Sequence, residues 1–295
     1  METFATHWHI NYDAGLMERL LFRVAKKWVA GYSVDEAITA ALDANSHGLS
    51  AILNFLGEDV TDANVVEQTM NEYLSLMELM NTRKVRGCVS AKPTQLGLAI
   101  NPKMCLQNFR RLADKAKELG QFLWMDMESV KFAEDTIAIY LEVFEKYNMT
   151  GVALQAYLRR SASDLIHVLE HGGKVRLVKG AYHESEKHAF AVKEEVDANY
   201  SKLMKMLFQS KNYFAIATHD SKLIEEAIQL KKKDSKFEFQ MLKGIRDELK
   251  SELIAKKFAV SEYIPYGSQW LSYSVRRIRE RKRNFLLLAR SLIQQ

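Results

Sequence analysis

The sequence predicts an α/β fold, a (βα)8 TIM-like barrel with extra N-terminal helices. Eight short apolar segments of strand length alternate with longer segments that carry apolar residues at helical spacing. Such alternation predicts a parallel sheet with right-handed crossovers, and eight units fit a closed barrel in 295 residues. An open doubly wound sheet is the structural alternative, but no glycine-rich dinucleotide turn follows the first strand.

Two helices are predicted before the first strand, over residues 14–30 and 33–47. The second of them opens with Ser33 three residues before Glu36, which is the spacing of a capping box.

No Gly/Ser-rich linker divides the chain, and it contains only three prolines. We therefore expect a single domain, in which helices within residues 1–48 pack on a barrel formed by residues 49–295.

The strand-like segments recur along the rest of the chain, and each is followed by a helical segment. We predict strands that begin near residues 49, 85, 121, 150, 174, 213, 237 and 261. The helices between them are predicted at 62–81, 109–120, 135–147, 163–171, 184–209, 221–232 and 245–257.

Composition and charge narrow the function classes. The formal net charge is +5, from 42 Lys and Arg against 37 Asp and Glu, an excess too small to indicate nucleic-acid binding. Cys88 and Cys105 lack the spacing of metal ligands, which indicates a reduced setting and no metal site. The N-terminal residues match no signal or transit peptide, and no apolar run reaches the roughly 18 residues that span a bilayer. We expect a cytoplasmic protein.

The active site of such a barrel lies at the carboxyl ends of its strands, in the loops that follow them. Chemically unusual residues fall at those ends in this sequence: Lys92, Asp126, Gln155, Arg176, Lys179, Tyr182, Thr218, His219 and Tyr263.

Lys92 and Asp126 follow neighbouring predicted strands, so they are expected to form an ion pair inside the mouth. A partly desolvated lysine in such a pair serves as a proton acceptor or Schiff-base nucleophile, with the aspartate tuning its charge. The structural alternative is an ion pair that only plugs the end of the barrel.

Arg176 and Lys179 interrupt an apolar strand, VRLVKGAY, that would otherwise be buried. Buried charges need a partner, and an anionic or electron-rich cofactor would supply one, whereas Gly180 and Ala181 would let a flat ring approach the backbone. The alternative is that both cations extend to the rim.

His219 has no second ligand at metal spacing and suits a positioned hydrogen-bond donor.

A basic helix is predicted after the eighth strand, in the sequence YSVRRIRER. Residues three and four apart share a helix face, which groups the side chains of Tyr273, Arg276, Arg277 and Glu280. Two adjacent guanidinium groups suit a carboxylate or phosphate, because arginine presents a rigid fork of donors. The alternative is a solvated basic surface.

The sequence resembles the proline dehydrogenase family over nearly its whole length. The motifs that carry the resemblance are NFLGE (54–58), SAKPTQLGL (90–98), GVALQAYLRRS (151–161), VRLVKGAY (175–182), ATHD (217–220), FEFQMLKG (237–244), YIPYG (263–267) and YSVRRIRER (273–281).

The resemblance implies a distorted (βα)8 barrel that binds FAD and oxidises L-proline, with hydroxyproline left open as a substrate. It implies roles at the substrate for Lys92, Asp126, Tyr182, Leu242, Tyr263, Tyr273, Arg276, Arg277 and Glu280. Among these, Arg276 and Arg277 would hold the carboxylate and Lys92 would pair with the same region and with Glu280. It implies contacts with the flavin for Gln155, Arg176, Val178, Lys179, Gly180, Ala181, Thr218 and His219.

The resemblance also implies the chemistry and the partners. A hydride would pass from proline C5 to flavin N5, with the amine deprotonated before or during that step, and a quinone would accept the electrons. Use of a quinone implies peripheral contact with the inner face of the membrane, to which the basic segment 276–290 would add attraction for anionic lipid. The chain is too short to hold a pyrroline-5-carboxylate dehydrogenase domain, so a separate enzyme would take the product.

Two other functions are consistent with parts of the sequence. A lysine-dependent aldolase on the same barrel would use Lys92 or Lys179 to form a Schiff base. A nucleic-acid-binding module would rest on the segment RRIRERKR alone and would leave the residues at the rim unexplained.

Overall fold

Eight β-strands form the centre of the molecule in the residues that the computed structural model describes, 16–271 and 273–275. Their bounds are β1 (Ser50–Phe55), β2 (Gly87–Ala91), β3 (Leu123–Met125), β4 (Thr150–Gln155), β5 (Val175–Val178), β6 (Phe214–Ala217), β7 (Phe237–Leu242) and β8 (Val260–Tyr266). All neighbouring strands pair in parallel in chain order, and β8 returns to pair with β1. The predicted (βα)8 barrel is confirmed.

Helices precede the barrel and alternate with its strands. In the described part of the chain they are α1 (Leu16–Ala25), α2 (Val34–Ser46), α3 (Ala63–Thr82), α4 (Pro102–Leu119), α5 (Ala133–Lys146), α6 (Ser161–Glu170), α7 (Lys193–Gln209), α8 (Ser221–Leu230) and α9 (Asp247–Ala255). Short 3₁₀ helices at Pro93–Leu96 and Val130–Phe132 follow β2 and β3 and were not predicted.

Local capping explains where several helices begin and end. The side chain of Ser33 accepts from the backbone N–H of Glu36, whose carboxylate caps the backbone N–H of Ser33 in return, so the predicted capping box is confirmed. Helix α4 begins seven residues earlier than predicted, because Asn101 caps its first turn and Pro102 occupies a position where no backbone N–H is needed.

The segment before α7 also differs from its prediction. A helix was expected from residue 184, but α7 begins at Lys193, and the preceding residues form turns. Within those turns the backbone N–H groups of His188 and Ala189 both donate to the carbonyl of Ser185. The helical spacing of polar residues there did not specify a helix, since no apolar face accompanies it.

Alternation along each strand separates an outer core from the barrel interior. On β1, Ala51 and Leu53 belong to the large apolar core between strands and helices, while Ile52 belongs to a small cluster inside the barrel. That inner cluster also contains Trp124 on β3 and is contacted by Tyr213. Because each inward position is flanked by outward apolar ones, the strands are held by packing on both faces.

Helix α2 packs against the outside of β1 and β8. The carbonyl of Pro265 accepts from the backbone N–H of Ala30, and the carbonyl of Gly31 accepts from that of Gly267. The segment that joins α1 to α2 is thereby fastened to the carboxyl end of β8.

A second apolar cluster lies at the carboxyl end of β1 and joins α1 to the helical residues that follow β8. Its buried members are Phe22, Ala25, Trp28, Val29, Leu56, Trp270 and Tyr273. The indole N–H of Trp28 donates to the hydroxyl of Ser274 over 2.9 Å. The residues after β8 are therefore anchored beside the end of the barrel at which β1 and β8 finish. Among the described helices, none is both long enough and apolar enough to cross a membrane.

Candidate active site at the carboxyl ends of the strands

The interior of the barrel is polar toward the carboxyl ends of its strands. Side chains from five strands and from the residues that directly follow β2 and β3 meet there in a single hydrogen-bonded cluster: Asn54, Ser90, Lys92, Asp126, Arg176, Gln240 and Tyr263. Most of these positions alternate with outward-facing apolar residues, so the strand geometry itself directs them inward.

Asp126 is the centre of this cluster. Its Oδ1 atom accepts from Nη1 of Arg176 at 2.6 Å and from the hydroxyl of Ser90 at 2.7 Å, while Oδ2 accepts from the hydroxyl of Tyr263 at 2.8 Å. Burial alone would raise the pKa of Asp126, but the charges of Arg176 and Lys92 outweigh it and hold the pKa below its usual value. Asp126 is therefore a carboxylate at neutral pH and binds cations.

Lys92 lies beside Asp126, as the sequence predicted. Its Nζ atom is 3.7 Å from Oδ2 of Asp126 and donates to Oδ1 of Asn54 at 3.3 Å, and the residue is 8% exposed. An ammonium group has three donors, and among the described residues the Lys92 ammonium donates one hydrogen bond, to the side chain of Asn54. The geometry leaves donor capacity for an anionic group in the mouth.

Arg176 is held on two edges of its guanidinium. Nε donates to Oε1 of Gln240 at 2.5 Å, and Nη1 donates to Asp126 and to Ser90. Its Cζ atom also lies 4.6 Å from the centre of the Trp124 ring, within cation–π range.

The third edge of that guanidinium is buried without a partner. In the described part of the chain, Nη2 of Arg176 makes no hydrogen bond. Buried donors are nearly always paired, so an unpaired guanidinium N–H group at this position fits a ligand that offers an acceptor. Together with Lys92, Arg176 places two cations beside the one carboxylate of Asp126, an arrangement that fits an anionic or electron-rich group such as a flavin.

Tyr263 faces the same carboxylate from β8. Burial, followed by the charge of Asp126, raises the pKa of Tyr263 well above its ordinary value. Its hydroxyl is therefore protonated at neutral pH and acts as a hydrogen-bond donor, not as an acid or a base.

Glu128 organises the loops just above the cluster. Its carboxylate accepts from the backbone N–H of Thr94 at 2.8 Å and from the hydroxyl of Thr94 at 2.7 Å. Its backbone carbonyl accepts from Nε2 of Gln155 at 2.6 Å, and Oε1 of Gln155 accepts from the backbone N–H of Ala181 at 3.4 Å. Burial raises the pKa of Glu128 to about 7. These contacts link the loops after β2, β3, β4 and β5.

Lys179 is engaged by two carboxylates at the starts of neighbouring helices. Its Nζ atom lies 2.5 Å from Oδ1 of Asp197 on α7 and 2.8 Å from Oδ2 of Asp220, which caps α8. On β5, Arg176 points into the barrel, and alternation places Lys179 on the opposite side. The contact of Lys179 with a flavin stays a prediction.

Gly180 follows directly and has a left-handed backbone, with φ of +119°. A Cβ atom built there would lie 2.1 Å from the ring of Tyr157, so the position requires glycine both for its conformation and for this close approach. Val178 and Ala181 flank this turn and are half-buried, at the end of the strand that carries Arg176.

Thr218 and His219 follow β6, and His219 reaches across to β7. Its Nε2 atom accepts from the backbone N–H of Leu242 at 2.9 Å, so the neutral imidazole carries its proton on Nδ1. The hydroxyl of Thr218 accepts from the backbone N–H of Asp220. The loop after β6 is thereby tied to the carboxyl end of β7, where Leu242 was expected to border the substrate.

The other residues that were predicted to contact the substrate lie above the cluster or outside the described residues. The hydroxyl of Tyr182 donates to Oε2 of Glu58 in the loop after β1, at 3.1 Å. Tyr273 is buried, and its proximity contributes to the raised pKa of Tyr263. Arg276, Arg277 and Glu280, predicted as a carboxylate clamp, fall outside the part of the chain that the structure describes.

Several residues in the cluster or hydrogen-bonded next to it were missed from the sequence: Asn54, Ser90, Glu128, Glu238, Gln240 and Ser261. A signal for two of them exists, because Glu238 and Gln240 alternate with phenylalanine and methionine in FEFQML and so share one face of a strand. Asn54 likewise interrupts an apolar strand. For Ser90 and Ser261 no sequence signal separates them from ordinary strand residues.

The fold and the cluster define a class of protein: an enzyme built on a (βα)8 barrel, with a cationic site at the carboxyl ends of its strands. The family model described as "Proline dehydrogenase" matches residues 37–287. The chain is 33% identical over 275 residues to "Proline dehydrogenase 1" of Bacillus subtilis (strain 168), covering 92% of this chain and 91% of that protein. It is 31% identical over 289 residues to "Proline dehydrogenase" of Deinococcus radiodurans, covering 95% and 93%.

A solved structure shares the fold. Proline utilization A from Bdellovibrio bacteriovorus, inactivated by N-propargylglycine, superposes with a TM-score of 0.85 at 24% sequence identity. The match covers 92% of this chain and 34% of that longer chain, so this chain spans about a third of it.

The chain belongs to the proline dehydrogenase family and is an enzyme, an oxidoreductase of that family. The resemblance drawn from the sequence motifs is confirmed. This assignment favours an oxidoreductase over the lysine-dependent aldolase that the same barrel could have hosted.

Proposed function

We propose that the chain oxidises L-proline to Δ1-pyrroline-5-carboxylate, with FAD as its cofactor and a quinone as the final electron acceptor. Family membership supports proline as the substrate, since the relatives at 31–35% identity are named proline dehydrogenases. The observation that carries the cofactor is the unpaired buried Nη2 of Arg176, among the residues described, in a pocket where two cations share the Asp126 carboxylate.

The flavin would be held by side chains and backbone at the carboxyl ends of β4 to β6. Arg176 would donate to it through Nη2, and His219 through the proton on Nδ1, while Gln155 and Thr218 would border its polar edges. When bound, the flavin supplies the acceptor for the hydride that leaves proline C5.

The chain's own residues would bind and orient the substrate. Lys92 would attract the carboxylate of proline, with Arg276 and Arg277 as the sequence-predicted clamp on the same group. Tyr182, Leu242, Tyr263 and Tyr273 would enclose the apolar ring. Asp126 would not take a proton from the amine, because its pKa lies below the ordinary value; it would keep Lys92 and Arg176 in place as cations.

An anaerobic titration of the purified protein tests the proposal. We expect a flavin absorption band that bleaches when proline is added and returns when a quinone or a dye is supplied. If the protein binds FAD but proline does not bleach the flavin band, the proposal that L-proline is the substrate is wrong.

A compound that inactivates a structural relative gives an independent test. N-propargylglycine inactivated the Bdellovibrio protein, and we expect it to inactivate this chain with time and in the presence of FAD. An excess of proline should protect, because both molecules present an amino-acid carboxylate. Inactivation that proline does not slow would mean that the reagent acts elsewhere.

The carboxylate clamp can be tested although it lies outside the described residues. Arg277→Met should raise the KM for proline by about tenfold or more, since a charge-assisted hydrogen bond contributes about 1.5–3 kcal/mol, and FAD should still bind. Lys282→Met is the matched control, because Lys282 does not belong to the predicted face that groups Arg276, Arg277 and Glu280, and it should leave KM unchanged. If both variants had the same KM for proline, the assignment of Arg277 to the substrate carboxylate would be wrong.

The product and the electrons need partners. We propose that a separate pyrroline-5-carboxylate dehydrogenase takes the product, as the resemblance to the family implies. Contact with the membrane surface is proposed because quinones reside there. Co-sedimentation with anionic vesicles but not with neutral ones would support this contact, and no sedimentation with either would refute it.

A further inference from the structure

A series of hydrogen-bonded polar side chains extends from Arg176 toward the amino end of β7. Oε1 of Gln240 accepts from Nε of Arg176 at 2.5 Å, and Nε2 of Gln240 donates to Oε1 of Glu238 at 2.6 Å. The other oxygen of Glu238 accepts from the hydroxyl of Ser261 at 2.6 Å. Gln240 is 3% exposed and Arg176 is also 3% exposed, so these bonds form in the interior.

The types of side chain decide which group donates and which accepts at each step of this series. Both carboxyl oxygens of Glu238 accept hydrogen bonds, one from Ser261 and the other from Gln240, so the NH₂ group of Gln240 faces Glu238. The amide oxygen of Gln240 must then face Arg176, where a donor is present. Without Glu238 the NH₂ group of Gln240 would lose its acceptor, and the amide plane would be held less firmly against the guanidinium.

Gln240 fixes Arg176 without neutralising it. The guanidinium is held by Gln240 at Nε and by Asp126 at Nη1, with Trp124 at 4.6 Å, and its Nη2 edge remains unpaired among the described residues. A carboxylate at position 240 would add a second negative charge beside the cation. A neutral amide orients the group and keeps its positive charge available to the mouth.

We infer that Gln240 and Glu238 are positioning residues that hold the Arg176 guanidinium with its unpaired edge toward the flavin. The inference rests on the proposed function, because it concerns the group that Arg176 would contact. A fixed positive charge beside a flavin stabilises the reduced form of the flavin. The hydrogen-bonded series Arg176–Gln240–Glu238, which we call the relay, should therefore influence the flavin midpoint potential.

The test uses Gln240→Met, which keeps the volume of the side chain and removes its acceptor. The matched control is Gln121→Met. Gln121 is also a buried glutamine, its side-chain NH₂ group donates to the carbonyl of Met77 at 2.9 Å, and it lies before β3 at the other end of the barrel. The stability of each variant is measured first, so that a loss of folding is separated from a change at the site.

The midpoint potential of bound FAD is measured by titration with a chemical reductant, which needs no proline. We expect a lower potential in Gln240→Met than in the wild type, and a kcat reduced by up to about tenfold, the range that loss of one hydrogen bond gives. The KM for proline should stay within about twofold of the wild-type value, because the contacts with the substrate carboxylate are intact. Gln121→Met should match the wild type in all three.

Variants of Glu238 test the relay one step further away. Glu238→Leu removes the acceptor that orients Gln240 and should lower the potential as Gln240→Met does. Glu238→Gln can offer its oxygen to Gln240 and its NH₂ group to Ser261, so it should restore a potential near that of the wild type. The Glu238→Leu/Gln240→Met double variant should equal Gln240→Met, because both changes act through Arg176.

An unchanged potential and kcat in Gln240→Met would overturn the inference, as would an equal loss in Gln121→Met. Additive effects in the double variant would show that Glu238 acts independently and would overturn its place in the relay. If wild-type FAD is not bleached by proline but its potential still falls in Gln240→Met, the substrate proposal fails and the relay stands. If the wild type binds no FAD, both fail.

Discussion

Arg176 and Asp126 meet inside the barrel with 2.6 Å between Nη1 and Oδ1, although 50 residues separate them in the chain. Each side chain is buried, with 3% and 8% of its residue surface exposed. Neither charge could be buried alone without a cost of several kcal/mol, so the two positions depend on each other.

Asp126→Asn should therefore destabilise the fold. The amide keeps the shape but leaves Arg176 and Lys92 without a counter-charge, and breaking a buried ion pair costs about 3–5 kcal/mol. Urea denaturation should show a loss in this range. The control is Glu142→Gln, which removes an exposed ion pair with Arg110 and should cost less than about 1 kcal/mol. Equal losses would mean that the cluster does not stabilise the barrel.

Gly180→Ala should cost about 3 kcal/mol, because the new methyl group meets the Tyr157 ring at 2.1 Å and the backbone has a φ of +119°. Gly120→Ala is the matched control: its φ is +65°, but nothing lies within 4 Å of the added Cβ atom. Conformational strain alone should cost that variant about 1 kcal/mol. Thermal unfolding of both variants measures the difference in their stability. Similar losses of stability would show that the Tyr157 ring moves away from the added methyl group.

The stability of the protein should depend on pH through Glu128. Burial raises the pKa of this carboxyl from 4.5 to about 7, so the folded state holds the proton more tightly than the unfolded state does. The stabilisation is complete below the unfolded pKa and is lost as pH rises through 7, by about 3 kcal/mol in total.

Glu128→Gln removes this titration. The free energy of unfolding of the wild type, less that of Glu128→Gln, should fall by about 3 kcal/mol between pH 4 and pH 8. Denaturation with urea at a series of pH values gives both curves. Parallel curves would mean that the pKa of Glu128 is ordinary in the fold.

Lys250 forms a buried ion pair that ties α9 to β8. Its Nζ atom lies 2.5 Å from Oε1 of Glu262 and 2.7 Å from Oδ1 of Asp247, and the residue is 2% exposed. Lys250→Met should cost up to about 3–5 kcal/mol, because the buried Glu262 loses its short contact and keeps the ammonium of Lys243, 4.0 Å from Oε2, as its counter-charge in the described part of the chain. Adding Glu262→Gln should recover part of the loss. A double variant as unstable as the single one would show that packing, not charge, is responsible.

The order of strands and helices could be predicted from the sequence because each element carries its own periodic pattern and its own caps. The capping box of Ser33 and Glu36 is local, and so is the run of outward apolar residues on each strand. The start of α7 could not be predicted in the same way, since the polar residues before Lys193 have no apolar face to choose between helix and turn.

Part of the site could also be predicted. A charge inside an apolar strand, as with Arg176, indicates a buried partner, and the rule that barrel sites lie at the carboxyl ends of strands gave Lys92 and Asp126 a common location. Lys179 carries the same sequence signal as Arg176, yet its ammonium lies between Asp197 and Asp220. Three positions separate them, an odd number, and alternation along a strand sends them to opposite sides.

The sequence by itself determined the eight-fold alternation, the family and the residues that bring charge to the rim, because these depend on local pattern and on residue identity. The sequence also placed Lys92 beside Asp126, and the tertiary structure decided the other contacts between charges. Asp126 serves Arg176, Lys92, Ser90 and Tyr263 at once because four strands converge there, and the amide of Gln240 is oriented by Glu238 because β7 places both inside the barrel. Such contacts join residues far apart in the chain, and only closure of the barrel brings them within hydrogen-bonding distance.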